Sequence, residues 1–181
     1  MDRVTLFEDI FEVSALNPDG YKFDCVNRLQ GTSATFDCEL LLDVNDDLYK
    51  IREADKFALV LATTLHMDGT PADHFSYIPH HALTEPSLAD NYEYVMHGRM
   101  FHVFFCGETH WDDEIDPNTN EKKGCKRKCG CDENIHKKYN RFAIIGISYG
   151  GLLMRLVGDP RHLDALHSFP DQRLYLLLKK D

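Results

Sequence analysis

The residues best able to hold a metal ion lie in one segment of the chain. Three cysteines follow the spacing C-x3-C-x-C, and further sulfur and imidazole groups flank them; the set is Cys125, Cys129, Cys131, His136, Cys106 and His110. Zinc takes such ligands tetrahedrally, and the nearby Lys and Arg favour thiolate. The spacing is not the two-residue knuckle of most zinc sites, and it does not fix a fourth ligand. Zinc at Cys125, Cys129, Cys131 and His136 is therefore one alternative, and a chain that requires no cofactor is the other.

The charge of the same segment changes from negative to positive along its length. It opens acidic, with "ETHWDDEIDP", and becomes basic in "EKKGCKRKCGCDENIHKK", with few residues that could enter a core. We interpret residues 107–141 as a charged, Cys-containing surface insertion between two strands. Its basic half could contact phosphate on a nucleic acid, although a solvated loop is the commoner meaning of such a run.

Enzyme signatures are not found in the sequence. Asp112, Asp113 and Glu114 lie in the polar segment, where nothing would desolvate them for acid–base work. The ten histidines form no His-Glu-x-x-His pair, and neither a G-x-x-x-x-G-K-[ST] loop nor a G-x-G-x-x-G turn occurs. The residues therefore give no signature of an enzyme.

Length and charge bound the class of protein. With 181 residues, 43% of them hydrophobic, the chain is most simply one domain over residues 1–181. A net charge of -10 argues against a protein that mainly grips nucleic acid through phosphates, and it favours protein partners. No window reaches the roughly 18 apolar residues of a membrane helix, and the acidic start is unlike a signal peptide. We therefore expect no membrane contact and a cytosolic or nuclear location.

Alternating hydrophobicity predicts strands along most of the chain. In "FDCELLLDV" the apolar side chains occupy every second position, and Asp37, Glu39 and Asp43 occupy the other face. Similar runs are "LFEDIFEV", "KFDCVNRL", "KFALVLATTL", "YEYVMHGRMFHVFF", "RFAIIGISY", "LLMRLVG" and "RLYLLLKK", which makes about eight strands. Cys25 and Cys38 fall on apolar faces, so we predict that both are small core residues.

Turn residues between these runs favour an antiparallel sheet. Pro-Asp-Gly at 18–20, Asp-Gly at 68–69 and Gly-Asp-Pro at 158–160 separate consecutive strands. No helical apolar period is long enough to cover a parallel sheet, so we predict an all-β fold, an antiparallel barrel of the oligonucleotide/oligosaccharide-binding type with long surface loops. Residues 68–91 are predicted to be one such loop, with at most a short helix capped near Ser87.

Two adjacent glycines interrupt an otherwise apolar stretch, "SYGGLLMRL" at 148–156. Glycine inside a strand weakens packing, and its usual reason is a bulge, a tight barrel bend, or a close approach of another backbone. The pattern leaves two interpretations open. Gly150 and Gly151 either form a barrel corner or lie at an edge where a partner docks.

An ordered series of segments resembles one known family. "LFEDIFEV", "NPDGYKFDCVNRL", "LLLDVN", "DKFALVLATTL" followed by "DGT", "NYEYVMHG", "SYGGLLMRLVGD" and "RLYLLLKK" are similar, in the same order, to segments of the small eighth subunit shared by nuclear RNA polymerases I, II and III. The resemblance spans both ends of the chain. It departs from the family pattern at the "CKRKCGC" insertion, at "HFSYIPHH", and after the final Lys-Lys, where the usual apolar tail is shortened to Asp181.

The resemblance implies a non-catalytic barrel, located in the nucleus, that docks on the largest polymerase subunit and contacts other core subunits. Carried over to this sequence, part of the docking surface would be Tyr149, Gly150, Gly151, Leu152, Leu153, Met154 and Arg155. It also implies weak or indirect contact with single-stranded nucleic acid through the N-terminal part, where stacking and cationic residues are few: Tyr21, Lys22, Phe23 and Arg28.

Two functions from different classes follow. The first is a structural subunit of DNA-directed RNA polymerase that supports assembly and transcription. The alternative is a free-standing barrel that binds single-stranded nucleic acid, with or without zinc, and whose groove is extended by the basic insertion. The acidic net charge argues against the alternative. Binding that falls steeply with salt would support it.

Overall fold

The computed structural model describes residues 4–21, 23–70, 86–106, 141–167 and 173–181. Eight strands and two short helices account for most of them. In chain order these elements are β1 (Thr5–Leu16), β2 (Val26–Ser33), β3 (Glu39–Asn45), β4 (Lys56–Ala62), a 3-10 helix (Leu88–Asn91), β5 (Tyr94–Cys106), β6 (Phe142–Tyr149), β7 (Leu152–Gly158), α1 (Pro160–His167) and β8 (Arg173–Lys180).

The strands close into a single antiparallel barrel in the order β1-β2-β3-β7-β6-β5-β8-β4. Each strand pairs with a neighbour on both sides, so the strands that the structure describes leave no open sheet edge for another chain to extend. The predicted all-β class, the antiparallel barrel and the strand count are confirmed, and the oligonucleotide-binding type is consistent with them.

Alternate residues of each strand fill the barrel interior. In β1 the inward positions include Phe7, Phe11 and Val13, while Glu8 and Glu12 face solvent. The rings of Phe11 and Phe57 stack with centroids 6.0 Å apart at the centre of this core. Burial of each such side chain stabilises the fold by roughly 1.5–3 kcal/mol. The period of two that predicted the strands thus also determines which side chains form the core.

Helix α1 closes one end of the barrel and was not predicted. Its Leu163 and Leu166 are fully buried in the main core, three residues apart on one helix face. Asp159 caps the helix, because its carboxylate accepts the Arg161 backbone N–H at 2.9 Å, and Pro160 occupies the first helical position. The sequence contained this signal, since an Asp-Pro pair preceding apolar residues at i and i+3 is typical of a helix start.

The start of β2 differs from the prediction. The run "KFDCVNRL" was expected to form a strand from residue 22, but β2 begins at Val26. Cys25 has φ of +60° and is exposed, so the prediction that it is a core residue is wrong. Its backbone N–H donates to the Tyr21 hydroxyl at 2.9 Å, which holds this stretch as a loop. Cys38 is buried as predicted, and burial raises its thiol pKa to about 12.

A second apolar layer covers part of the outside of the barrel. Val60, Ala62 and Leu177 on β4 and β8 pack beneath the 3-10 helix and its flanks, including Leu88 and Tyr92. The short helix begins after Ser87 as predicted, and the Ser87 N–H donates to the Asp90 carboxylate at 2.7 Å. Of the long loop predicted at 68–91, residues 71–85 lie outside the described residues.

Candidate docking surface

The two glycines form the turn between β6 and β7. Tyr149 pairs with Leu152, so Gly150 and Gly151 are a two-residue hairpin loop. Their φ angles are +63° and +108°, and positive φ at both positions is what a type I′ turn requires. The glycines therefore lie in a turn between two strands and not inside one strand, and the turn backbone accounts for both of them without a barrel bend or a partner. We call residues 149–152 the hairpin tip.

Two residues of the expected docking set face inward. Tyr149 and Met154 are buried in the main core, and the Tyr149 hydroxyl lies 3.9 Å from the Met154 sulfur. Burial raises the pKa of the Tyr149 hydroxyl above its ordinary value. On β5, Gly98 makes room for the Tyr149 ring, because a Cβ there would lie 2.3 Å from Cδ1 of the ring. In this structure these side chains support the hairpin from inside and present no surface to a partner.

The other members of the set reach the outer surface. Gly150 and Gly151 are exposed at the tip, and Leu153 is 43% exposed on the outer face of β7. Arg155 follows two positions later on the same face and is partly exposed. Leu152 is partly buried against the core. The structure thus brings Gly150, Gly151, Leu153 and Arg155 together on one exposed strip beside the turn.

An ion pair that the sequence did not reveal fixes the position of this strip. Arg28 on β2 donates two hydrogen bonds to Asp43 on β3, from Nε to Oδ1 at 2.6 Å and from a terminal nitrogen to Oδ2 at 2.9 Å. Oδ2 of Asp43 also accepts the Leu153 backbone N–H at 3.1 Å. The hydrogen bond to Asp43 raises the pKa of the Arg28 guanidinium. We call these three groups the Arg28–Asp43 clasp.

The clasp lies where two strands of the barrel separate. Backbone pairing of β3 with β7 runs only from Glu39 to Leu42, so the next N–H on β7 has no ladder partner and uses the Asp43 carboxylate instead. Nearby, the Asn45 backbone N–H donates to the Tyr94 hydroxyl at 3.1 Å. Alternation assigned Asp43 to a solvated face, and it is in fact buried. A carboxylate opposite an Arg on the neighbouring strand was the signal, but the strand pairing was needed to recognise it.

The residues expected to contact nucleic acid have an acidic environment. Tyr21 and Phe23 are exposed, Arg28 belongs to the clasp, and Lys22 lies outside the described residues. The loops at 17–25 and 45–50 are joined by the Asp46 N–H, which donates to the Cys25 carbonyl at 2.9 Å. They carry four carboxylates: Asp19, Asp24, Asp46 and Asp47. We call them the acidic loops.

The carboxylates of these loops raise the pKa of the Cys25 thiol. A hydrogen bond to Asp47 and the charge of that carboxylate raise its pKa, and Asp24 and Asp46 act in the same direction. The cleft beside Phe23 and Arg28 encloses about 10 Å³, roughly the space of one water molecule. This surface is poorly suited to phosphate.

The candidate zinc ligands lie outside the part of the chain that can be described. This holds for Cys125, Cys129, Cys131, His136 and His110, and nothing is described of the Cys106 side chain. Among the described residues, no group of three or more His, Cys, Asp or Glu is placed to hold a metal ion. Within the same residues, no helix is both long enough and apolar enough to cross a membrane.

Comparison with known proteins gives a consistent result. The sequence profile of the family described as RNA polymerase Rpb8 matches residues 8–114 and 132–180. The chain is 37% identical over 178 residues to "DNA-directed RNA polymerases II, IV and V subunit 8B" of Arabidopsis thaliana, covering 98% of this chain and 97% of the relative. It is 36% identical over 175 residues to "DNA-directed RNA polymerases I, II, and III subunit rpabc3" of Dictyostelium discoideum, with 97% and 96% covered.

A yeast relative agrees with these two. The chain is 31% identical over 181 residues to "DNA-directed RNA polymerases I, II, and III subunit RPABC3" of Saccharomyces cerevisiae, with 97% of this chain and 98% of the relative covered. The stretch that the family profile skips, 115–131, falls inside the segment interpreted as an insertion. These matches confirm the resemblance that the ordered segments indicated: the chain belongs to the RNA polymerase Rpb8 family.

Proposed function

We propose that this chain is a non-catalytic structural subunit of nuclear DNA-directed RNA polymerases I, II and III, which docks on the largest subunit and supports assembly and transcription. The observation that carries the proposal is the family match, which includes 8–114 and 132–180 and therefore every strand of the barrel except the first few residues of β1. Relatives named as polymerase subunits, aligned over nearly their whole length, support it.

The docking contacts are the outward groups Gly150, Gly151, Leu153 and Arg155, with the partly buried Leu152 beside them. Leu153 supplies an apolar anchor, and the side-chain-free turn lets a partner backbone approach. Tyr149 and Met154 act indirectly by filling the barrel beneath the hairpin. Residues 1–181 form one barrel domain, with 107–141 as a surface insertion within it, and no cofactor is required.

The alternative, a free-standing barrel that binds single-stranded nucleic acid, is not favoured. Its stacking residues Tyr21 and Phe23 stand among carboxylates, and Arg28 is already paired with Asp43. Single-strand grooves combine aromatic platforms with a positive track for the phosphates. The described N-terminal surface supplies aromatic rings without a positive track for the phosphates.

Purification of the tagged chain from native nuclear extract, followed by a high-salt wash, tests the proposal. We expect the largest subunits of all three polymerases in near-equal amounts, and much lower recovery with Leu153→Ser. Ile10→Ser is the matched control, because Ile10 is 41% exposed on an outer strand face and Leu153 is 43% exposed on another. Recovery of one polymerase class would narrow the proposal, and recovery of none would overturn it.

Substitution at Gly151 would not separate docking from folding. Its φ of +108° is strained for any residue with a side chain, so Gly151→Trp would disturb the free protein as well as the complex. Leu153→Ser leaves the turn, the clasp and the interior unchanged. Equal loss of recovery with Leu153→Ser and Ile10→Ser would indicate a general surface effect and contradict docking at the hairpin.

A further inference from the structure

Four neighbouring strands of the barrel lack carboxylates. β7, β6, β5 and β8 are consecutive in the barrel and contain no Asp or Glu along their described lengths, although the chain has 30 acidic residues. The outer face of the same strands carries arginines. We call one group of outward positions on β5, β6 and β7 the wall: Arg99, Phe101, His102, Gly146, Ser148, Leu153 and Arg155.

A bulge in β5 presents an aromatic ring on this wall. The register of β5 against β6 shifts between Met100 and His102, which places Phe101 and His102 side by side on the outer face. Met100 is fully buried on the inner face, and Phe101 is 62% exposed. Bulges are over-represented next to functional sites, where they re-aim a side chain.

The absence of a side chain at Gly146 on β6 leaves room for the Phe101 ring. A Cβ at Gly146 would lie 3.0 Å from Cζ of Phe101 and 3.0 Å from Cβ of His102. The Phe101 ring therefore lies against the bare backbone of β6. Across β6 from the bulge, Gly146 pairs with Arg155 of β7. The aromatic ring and the arginine thus flank one side-chain-free position.

The wall has a cation that the described chain does not neutralise. Among the described residues, no carboxylate forms an ion pair with Arg155. Arg99 lies opposite Arg173 of β8 at the far side of the wall. Depletion of acidic residues, with aromatic residues and Arg present, is the composition typical of protein interfaces.

We propose that the wall extends the docking surface, and that it binds a protein segment of the polymerase that brings an apolar side chain to Phe101 and a carboxylate to Arg155. This rests on the proposed function, because the wall is continuous with Leu153 at the hairpin. Charge complementarity selects the occupant: strands β5, β6 and β7 carry arginine and no acidic residue along their described lengths, and on a chain of net charge -10 they fit an acidic segment. A protein fits better than nucleic acid, because the wall offers apolar anchors and few cations.

Co-expression of the tagged chain with the largest polymerase subunit tests the inference. We expect Phe101→Ser and Arg155→Glu each to lower recovery by at least about tenfold. Phe23→Ser is the matched control for Phe101→Ser, because Phe23 in the acidic loops is also 62% exposed. Arg155→Lys keeps the positive charge and should retain most of the recovery. Thermal unfolding of each free variant confirms that the barrel is intact.

The outcomes separate the two proposals. If Leu153→Ser abolishes recovery while Phe101→Ser and Arg155→Glu recover as the parent does, the wall inference fails and docking at the hairpin survives. If none of the three lowers recovery, the docking proposal fails as well. Raising NaCl from about 0.1 M to about 0.5 M should weaken binding of the parent more than that of Arg155→Glu, because salt screens the pair at Arg155.

Two other occupants would overturn the inference. Sedimentation that showed a dimer of the free chain, lost in Phe101→Ser, would assign the wall to a second copy. Binding of a labelled oligothymidine at physiological salt, lost in Arg155→Glu, would assign it to nucleic acid. We expect the free chain to be monomeric and not to bind the oligonucleotide.

Discussion

Phe23 and Phe101 are exposed to the same extent, 62%, on two surfaces with opposite charge. Phe23 belongs to the acidic loops, where Asp19, Asp24, Asp46 and Asp47 set the local field. Phe101 belongs to a wall whose strands carry no carboxylate and whose Arg155 has no acidic partner among the described residues. Exposure alone therefore does not distinguish the two rings, and the proposal that Phe101 docks a partner rests on the charges around it.

Hydrogen bonds of the clasp link the two surfaces. Arg28 lies beside the cleft of the acidic loops and donates to Asp43, and Asp43 accepts the Leu153 backbone N–H at the edge of the wall. A residue expected to bind nucleic acid thus contributes to positioning the hairpin tip.

The largest effect is expected from Gly98→Ala, which removes the inner support of the wall. The added Cβ would lie 2.4 Å from the Ser148 carbonyl and 2.3 Å from the Tyr149 ring, so backbone must move. We expect a loss of about 3 kcal/mol or more in the free energy of unfolding, measured by urea denaturation. Gly31→Ala is the control, because its nearest contact would be 3.4 Å. Equal stability of the two variants would contradict the packing described for Tyr149.

Breaking the clasp is expected to have the next largest effect. Arg28→Ala leaves the buried Asp43 carboxylate without its cation and should lower the free energy of unfolding by roughly 2–3 kcal/mol. Asp43→Asn removes the charge but keeps an acceptor for the Leu153 N–H, so the loss should be smaller. A third variant, Asp43→Ala, removes the acceptor as well as the charge. Hydrogen exchange of the Leu153 amide should therefore accelerate more in Asp43→Ala than in Asp43→Asn. Equal exchange in both would show that Asp43 does not hold this amide.

A smaller, pH-dependent effect is expected at Asp159, at the far end of β7. Its hydrogen bonds from Arg161 lower its pKa to about 2. Because the folded pKa lies below the ordinary value, this stabilisation is complete above about pH 4 and is lost as the pH falls toward 2. Asp159→Asn keeps the cap and loses the charge. Between about pH 4 and about pH 2 the free energy of unfolding of the parent should therefore fall, relative to that of Asp159→Asn, by no more than about 1 kcal/mol. Parallel denaturation curves from pH 5 to about 2 check this, and a constant difference would contradict it.

The smallest effect is expected in the acidic loops. Phe23→Ser removes an exposed ring and should change the free energy of unfolding by less than about 0.5 kcal/mol. Tyr21→Ser also removes the hydroxyl that accepts the Cys25 N–H, so its loss should be larger, up to about 1 kcal/mol. Recovery with the largest polymerase subunit should be unchanged. A loss of recovery equal to that of Phe101→Ser would remove the distinction between the two surfaces.

Sequence periodicity was sufficient for the barrel but not for the surfaces. The strands β7 and β8 begin and end where the apolar runs predicted, because alternation with a period of two is a property of each strand alone. The Cys25 prediction was wrong, because a left-handed φ at a residue other than glycine leaves no periodic signal. The role of Asp43 depends on which strands are neighbours, and one strand's pattern does not contain that information.

The docking set shows the same limit at the level of single residues. The segment 149–155 contains a turn, inward residues and outward residues, and the resemblance treated them alike. Strand alternation beginning at Leu152 assigns Met154 inward and Leu153 and Arg155 outward once the turn is placed at the glycines. Phe101 was not predicted, because the bulge that exposes it appears only in the register between β5 and β6.

Hydroxyl-radical footprinting of the tagged chain, free and within the purified polymerase, tests the central claim most directly. Phe23 and Phe101 start from equal exposure, so each serves as the reference for the other within one sample. We predict that assembly strongly protects Phe101 and Leu153, while Phe23 and Tyr21 keep the oxidation rates of the free chain. Protection of Phe23 with Phe101 still fully reactive would contradict the account and assign docking to the acidic loops.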